Sequence, residues 1–175
     1  MRVALSCTLG WITLLMFAAP TFGAESPATF KVGEFTFARP AGWDWVASTS
    51  AMRKAQLKVT DKKGIAEVVF FHFGESNGGG TKANVDRWLG QFQDSSNPKV
   101  EEATVGKRNV TFVQVEGTYL SGMPGGPKTS QPNSRLHGAI IESPEGSVFI
   151  KMTGPGSTVQ QAKDAFRKMI EAALK

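Results

Sequence analysis

Gly78-Gly79-Gly80-Thr81 stands directly before an apolar-periodic stretch that also holds Lys82 and Arg87. The first amides of a helix lack intrahelical partners, and glycine lets a ligand approach the backbone. These six residues are therefore a candidate site for an anion such as phosphate, sulfate or a carboxylate. The plainer role of such glycines is to make the turn, with Thr81 as the helix cap.

The chain has two histidines, His72 and His137. A metal site would need both to meet, together with a carboxylate such as Glu75 or Glu142. Each histidine lies in a strand-forming stretch, where a structural role is the plainer reading. A serine triad would need a His–Asp pair that the sequence does not reveal. No nucleophile-elbow, P-loop, His-Glu-x-x-His or EF-hand motif occurs. The expectation is a protein that is not an enzyme, with no cofactor and no metal. Arg53, Lys54, Lys58, Lys62 and Lys63 load one hairpin with cations. That is an ordinary solvated face, or a weak contact for anionic lipid that salt would abolish. Asn109-Val110-Thr111 is a glycosylation sequon with meaning only in a eukaryotic secretory host.

The only cysteine, Cys7, falls in an N-terminal apolar run from Val3 to Ala19. Arg2 precedes the run, Pro20 follows it, and small residues stand at Gly23 and Ala24. This is the secretory signal-peptide pattern. We expect 1–24 to be removed and 25–175 to be an exported domain, periplasmic or extracellular. The other reading is an uncleaved membrane anchor, for which the run is short against a span of about 20 residues; after cleavage no stable span is expected. Without Cys7 the exported chain has no disulfide and no thiolate site. The chain has 175 residues and a net charge of +5, which loses Arg2 with the signal. In an exported protein this does not point to nucleic acid. The remaining length of about 150 residues fits one domain with a real core.

The elements that must position these residues follow from periodicity. Ile65 to Phe73 is apolar on both faces and too short to favour a helix, which predicts a central strand covered above and below. Met52 to Thr60 alternates and pairs with it through the turn Asp61-Lys62-Lys63-Gly64. Phe30 to Phe37 is a hairpin about Gly33-Glu34, in the type II′ pattern. Pro40 ends pairing, and Trp43 and Trp45 read as core plugs in irregular chain. Val85, Trp88, Leu89 and Phe92 share one helical face, with Asp94 to Pro98 ending the helix. Val100–Val105, Val110–Leu120, Leu136–Glu142 and Ser147–Thr153 are strands. Ser157 and Gln160 form a capping-box pattern before a C-terminal helix with a stripe of Val159, Ala162, Phe166, Met169 and Ile170. Ser121 to Ser134 has no apolar periodicity and reads as a long loop. Long loops tend to be functional or mobile, which makes Met123, Pro124, Gly125, Gly126, Pro127 and Lys128 the candidate partner loop. The result is an α+β domain: an antiparallel sheet of about seven strands, a helix after the second hairpin, and a C-terminal helix.

Three stretches resemble the PsbP-like fold, an α-β-α sandwich shared by an extrinsic protein of the oxygen-evolving complex and a Ran-binding nuclear-transport factor. Phe35 to Trp43 is similar to that family's opening strand with its Pro and Gly-Trp. Arg135 through Thr153 is similar to the closing hairpin, and Ser157 to Leu174 to the final helix. The string also looks like uncharacterised secreted bacterial proteins. No residue matches those by which the photosynthetic protein or the Ran binder works. The resemblance implies a fold and a style of function, that of an accessory or protein-binding module. The alternative is a small-ligand or anion-binding protein that uses the Gly78–Gly80 loop, with Trp43 or Trp45.

Overall fold

The chain folds, in order, as β1 (Thr29–Val32), β2 (Phe35–Ala38), β3 (Asp44–Trp45), β4 (Arg53–Asp61), β5 (Gly64–His72), α1 (Thr81–Leu89), β6 (Phe92–Val105), β7 (Arg108–Ser121), β8 (Thr129–Ile141), β9 (Val148–Pro155) and α2 (Gly156–Ala172). The computed structural model describes residues 26–48, 50–75, 78–122 and 125–175. The expected export signal, 1–24, lies outside the described residues, as do Met123 and Pro124 of the candidate partner loop. Among the described residues no helix is long and apolar enough to cross a membrane.

Seven strands form one sheet in the order β3-β4-β5-β9-β8-β7-β6, with every neighbouring pair antiparallel. β5 lies inside it. Val68 and Phe70 are fully buried on one face, and Val69 is buried on the other. Both faces are covered, so this strand has no need of polar alternation. On the Val68 face lie α2 and the separate β1–β2 hairpin. Val159, Ala162, Phe166, Met169 and Ile170 of α2 are buried there. The rings of Phe30 and Phe37 stand 5.0 and 5.1 Å from Phe70. On the other face α1 lays Val85 and Trp88 over Val113, Leu136, Ile140 and Phe149. Gly138 makes that approach possible, since a Cβ there would fall 2.4 Å from Trp88 Cζ3. The architecture is α+β, as the periodicity predicts, with helices on both faces of the sheet, as the PsbP-like resemblance implies.

Four local expectations are corrected. Residues 121–134 are not one loop: β7 and β8 continue as a paired arm, with Tyr119 opposite Gln131 and Ser121 opposite Thr129. Only 122–128 connects them. The β8 side of the arm shows no apolar period because Thr129 to Asn133 are all exposed, and on the β7 side only Tyr119 packs against the core. Pro132 falls where the register shifts, which is where a residue without an N–H fits. Second, α1 ends at Leu89, and Phe92 opens β6. Phe92 is buried beside the same core, so its position mimics a helical i+7. Third, Gly80 is the N-cap of α1 and Pro155 that of α2, and neither helix has a side-chain cap. Thr81 and Gln160 are used elsewhere, as described below. Fourth, Trp45 is not in irregular chain, because Asp44–Trp45 pairs with the edge of β4. Trp43 is buried as expected.

Candidate functional site

The glycine loop is built by packing. A Cβ at Gly78 would lie 2.6 Å from Phe149 Cε2, so this position must be glycine for the loop to rest on that ring. Gly79 has φ of +71°, in the left-handed region. Asn84, buried within α1, donates from Nδ2 to the carbonyls of Gly78 at 2.9 Å and Gly80 at 3.1 Å. Arg87 donates to Asn84 Oδ1 and so braces the same loop. Lys82 turns along the helix to Asp86, 2.6 Å away. The Thr81 hydroxyl donates to Glu142 Oε1 at 2.8 Å. A carboxylate of the protein thus already stands at the start of α1, where helix polarity favours negative charge. Beside it a cavity of about 490 Å³ opens between Gly80, Lys107, Arg108 and Ser143. A second, of about 520 Å³, lies between α1 and the outer strands, lined by Thr81, Val85, Val100, Glu102, Thr111 and Glu142.

The partner-loop residues that are described, Gly125, Gly126, Pro127 and Lys128, sit at the tip of the β7–β8 arm and are mostly exposed. This tip precedes the first residue of β8, whereas Glu142, beside the glycine loop, follows the last. The 13 residues of β8 separate the two loops by roughly 40 Å of extended chain. The candidate partner loop and the candidate anion loop are therefore separate places on the molecule.

The two histidines do not meet. His72 pairs with Val148 and His137 with Met152, on opposite sides of β9, which sets them about 13 Å apart along the strand alone. His72 Nε2 lies 3.1 Å from the Glu145 carbonyl. Among the described residues no group of three His, Cys, Asp or Glu side chains is placed to hold a metal.

Two clusters were not anticipated. The first lies on the α1 face. Lys151, paired between Val69 and Gly138, points up from the middle of the sheet. Its Nζ donates to Tyr119 Oη at 2.9 Å and to Gln91 Oε1. Burial, helped by the charge of Arg87, lowers the lysine to about 8, and burial raises the tyrosine above its ordinary value. Nearby on β4 and β5, Arg53 donates to Gln56 at 3.0 Å and Gln56 donates to Glu67 at 2.9 Å. The signal was legible: Lys151 interrupts the apolar run Val148-Phe149-Ile150-Lys151-Met152.

The second cluster lies on the α2 face. A cleft of about 230 Å³ between α2 and the outer strands is lined by Lys99, Phe112, His137, Lys163, Phe166 and Arg167, among others. His137 is 5% exposed, and burial first, then the cations of Arg135 and Lys163, hold it down to about 4 against the opposing pull of the neighbouring Gln160 side chain. Its Nε2 has no hydrogen-bond partner. Arg135, two residues before it, pairs with Glu116 and donates to Gln160. Arg167 donates to both oxygens of Glu101 and to Glu171, which raises it well above its ordinary value.

The chain matches no protein-family model and no curated protein. Solved structures do resemble it. The solution structure of cyanobacterial PsbP from Synechocystis sp. PCC 6803 superposes with a TM-score of 0.53 at 8% identity, covering 89% of this chain and 95% of that one. The fold is PsbP-like. A protein of unknown function, PA94 from Pseudomonas aeruginosa, is also similar, at a TM-score of 0.48 and 12% identity, over 82% of this chain and 92% of that one. The PsbP-like sandwich places α1 and α2 on opposite faces of the sheet, so the Lys151 and His137 clusters are separate sites. At these identities the likeness is one of fold, and function must be argued from the residues.

Proposed function

We propose that this is an exported, non-catalytic accessory module that binds a protein partner through the tip of its β7–β8 arm. One observation supports this most directly. Thr129 to Gln131 are exposed and paired to β7, and the strand comes close to the start of α2 only further along, at Asn133 beside Gly156. The backbone cost of ordering this arm is therefore met before any partner arrives. Loops carried on rigid scaffolds are where binding residues concentrate. The glycine loop, by contrast, is occupied in bracing α1 and already faces a carboxylate.

The test is cross-linked capture from the protein's own envelope fraction, read by mass spectrometry. The reading predicts one dominant protein partner, lost when 122–128 is replaced by a two-residue turn. A partner retained by the shortened chain, or none above background, refutes it.

A further inference from the structure

The cleft between α2 and the outer strands has cations that the fold does not use. Arg167 is spoken for: it donates to Glu101 at 2.8 and 3.1 Å and to Glu171 at 2.7 Å, and lies 4.3 Å over the Phe112 ring. Lys99 and Lys163 also line the cleft and make no ion pair among the described residues. The lining therefore carries surplus positive charge beside an apolar wall to which Phe112, half-buried under the Arg167 guanidinium, and the almost fully buried Phe166 contribute. His137 stands at the same cleft, and its sealed Nε2 is unpaired. Buried polar atoms without a partner are rare in native proteins and call for a specific reason. The volume, about 230 Å³, is smaller than the usual range of about 300–1,000 Å³ for drug-sized ligands.

We propose that this cleft binds a small organic carboxylate with an apolar body. The carboxylate lies between the ammonium groups of Lys99 and Lys163, and the hydrocarbon part rests on Phe112 and Phe166. One carboxylate oxygen accepts a hydrogen bond from His137 Nε2, which becomes reachable when the side chains over it part. The apolar wall selects an organic anion over an inorganic one. The site is independent of the β7–β8 arm, which leaves the sheet beyond it.

Phenylacetate is the probe, titrated into the purified protein and followed by the imidazole nitrogen signals of His137, with His72 as the internal reference. The expected result is a saturable shift of His137 alone, with a dissociation constant at or below about 1 mM. Lys99→Ala with Lys163→Ala, both at exposed positions, should weaken binding at least about tenfold with the melting curve kept. Phenylethylamine, the same body with the opposite charge, should leave His137 unmoved. No saturable shift, equal binding by the double variant, or inorganic phosphate binding as tightly as phenylacetate would each overturn the proposal.

Discussion

Lys151 Nζ donates to Tyr119 Oη at 2.9 Å, and the same ammonium stands 4.7 Å from the centre of the Tyr119 ring. The pair joins the central strand β9 to the start of the arm on β7, across the intervening β8. It is also a source of pH dependence. The folded lysine titrates at about 8 and the unfolded one near its ordinary 10.5. Between these values the unfolded chain holds more protons, so stability rises with pH. Tyr119 acts the other way above about pH 10, because burial raises it and the unfolded phenol ionises first. The window is therefore pH 8 to 10. Urea midpoints should climb across it in the native protein and stay flat in Lys151→Met. A flat native profile would show that the lysine is not desolvated.

His137 gives an acid-side counterpart with its own window. Its folded value is about 4 against an ordinary 6.5, so the unfolded chain takes up the proton first as pH falls. Stability is full above about pH 6.5 and drains away towards 4. The carboxylates with lowered values, Asp61, Glu101 and Glu116, respond only in the lower part of this range. Moving from pH 6.5 to 5 should cost about 1–2 kcal/mol, from 1.36 kcal/mol per unit. His137→Gln should remove that loss. If the loss persists in the variant, another group carries it.

The same two residues show what sequence could and could not supply. Ile65 to Phe73 announced its place because burial on both faces leaves a visible signature, and the α2 stripe did so through its helical period. Lys151 was visible as a lone cation in an apolar strand, yet its partners Tyr119 and Gln91 are 32 and 60 residues away, and only the sheet order brings them in. The β7–β8 arm was missed because a largely uncovered pair has no apolar period to read, only backbone ladders. Phe92 was misassigned because a buried residue just past a helix can keep the helix's phase. A structural role is the plain reading of His137 in its strand, but the cleft beside it depends on Lys163 and Arg167 of α2, which only the packing of that helix brings to β8.

Gly78 and Gly80 separate packing from ligand access in the glycine loop. A Cβ at Gly78 would strike Phe149, whereas one at Gly80 meets nothing within 4 Å. Gly78→Ala should destabilise by about 1–3 kcal/mol, the range for overpacking a core. Gly80→Ala should cost less than about 1 kcal/mol, chiefly as a weaker N-cap. Chemical denaturation of both variants decides this. Equal effects would mean that Phe149 yields freely and that the loop's glycines are not there for packing.

Trp88 over Gly138 tests how firmly α1 is held. The indole covers a position where any side chain would overlap it, with the nearest approach 2.4 Å. Gly138→Ala should therefore lift α1 and cost about 1–3 kcal/mol, and Trp88→Ala about 3–5 kcal/mol. Removing the indole first frees the space, so the double variant should be less damaged than the two single losses added together. Strict additivity in denaturation midpoints would show that the two residues do not touch in solution.

Ser121 and Thr129 already face each other across the arm, so 122–128 can be replaced by Asn-Gly, which closes an antiparallel pair in a type I′ turn. Shortening a loop changes closure entropy only logarithmically, and the described tip residues are mostly exposed. The stability of the shortened chain should stay within about 1 kcal/mol of the native protein. That equality is what gives the capture experiment its force, because a partner lost from an equally stable chain is lost through the tip. A large drop in melting temperature would instead show that the connection holds the arm in place, and partner loss would then report on folding.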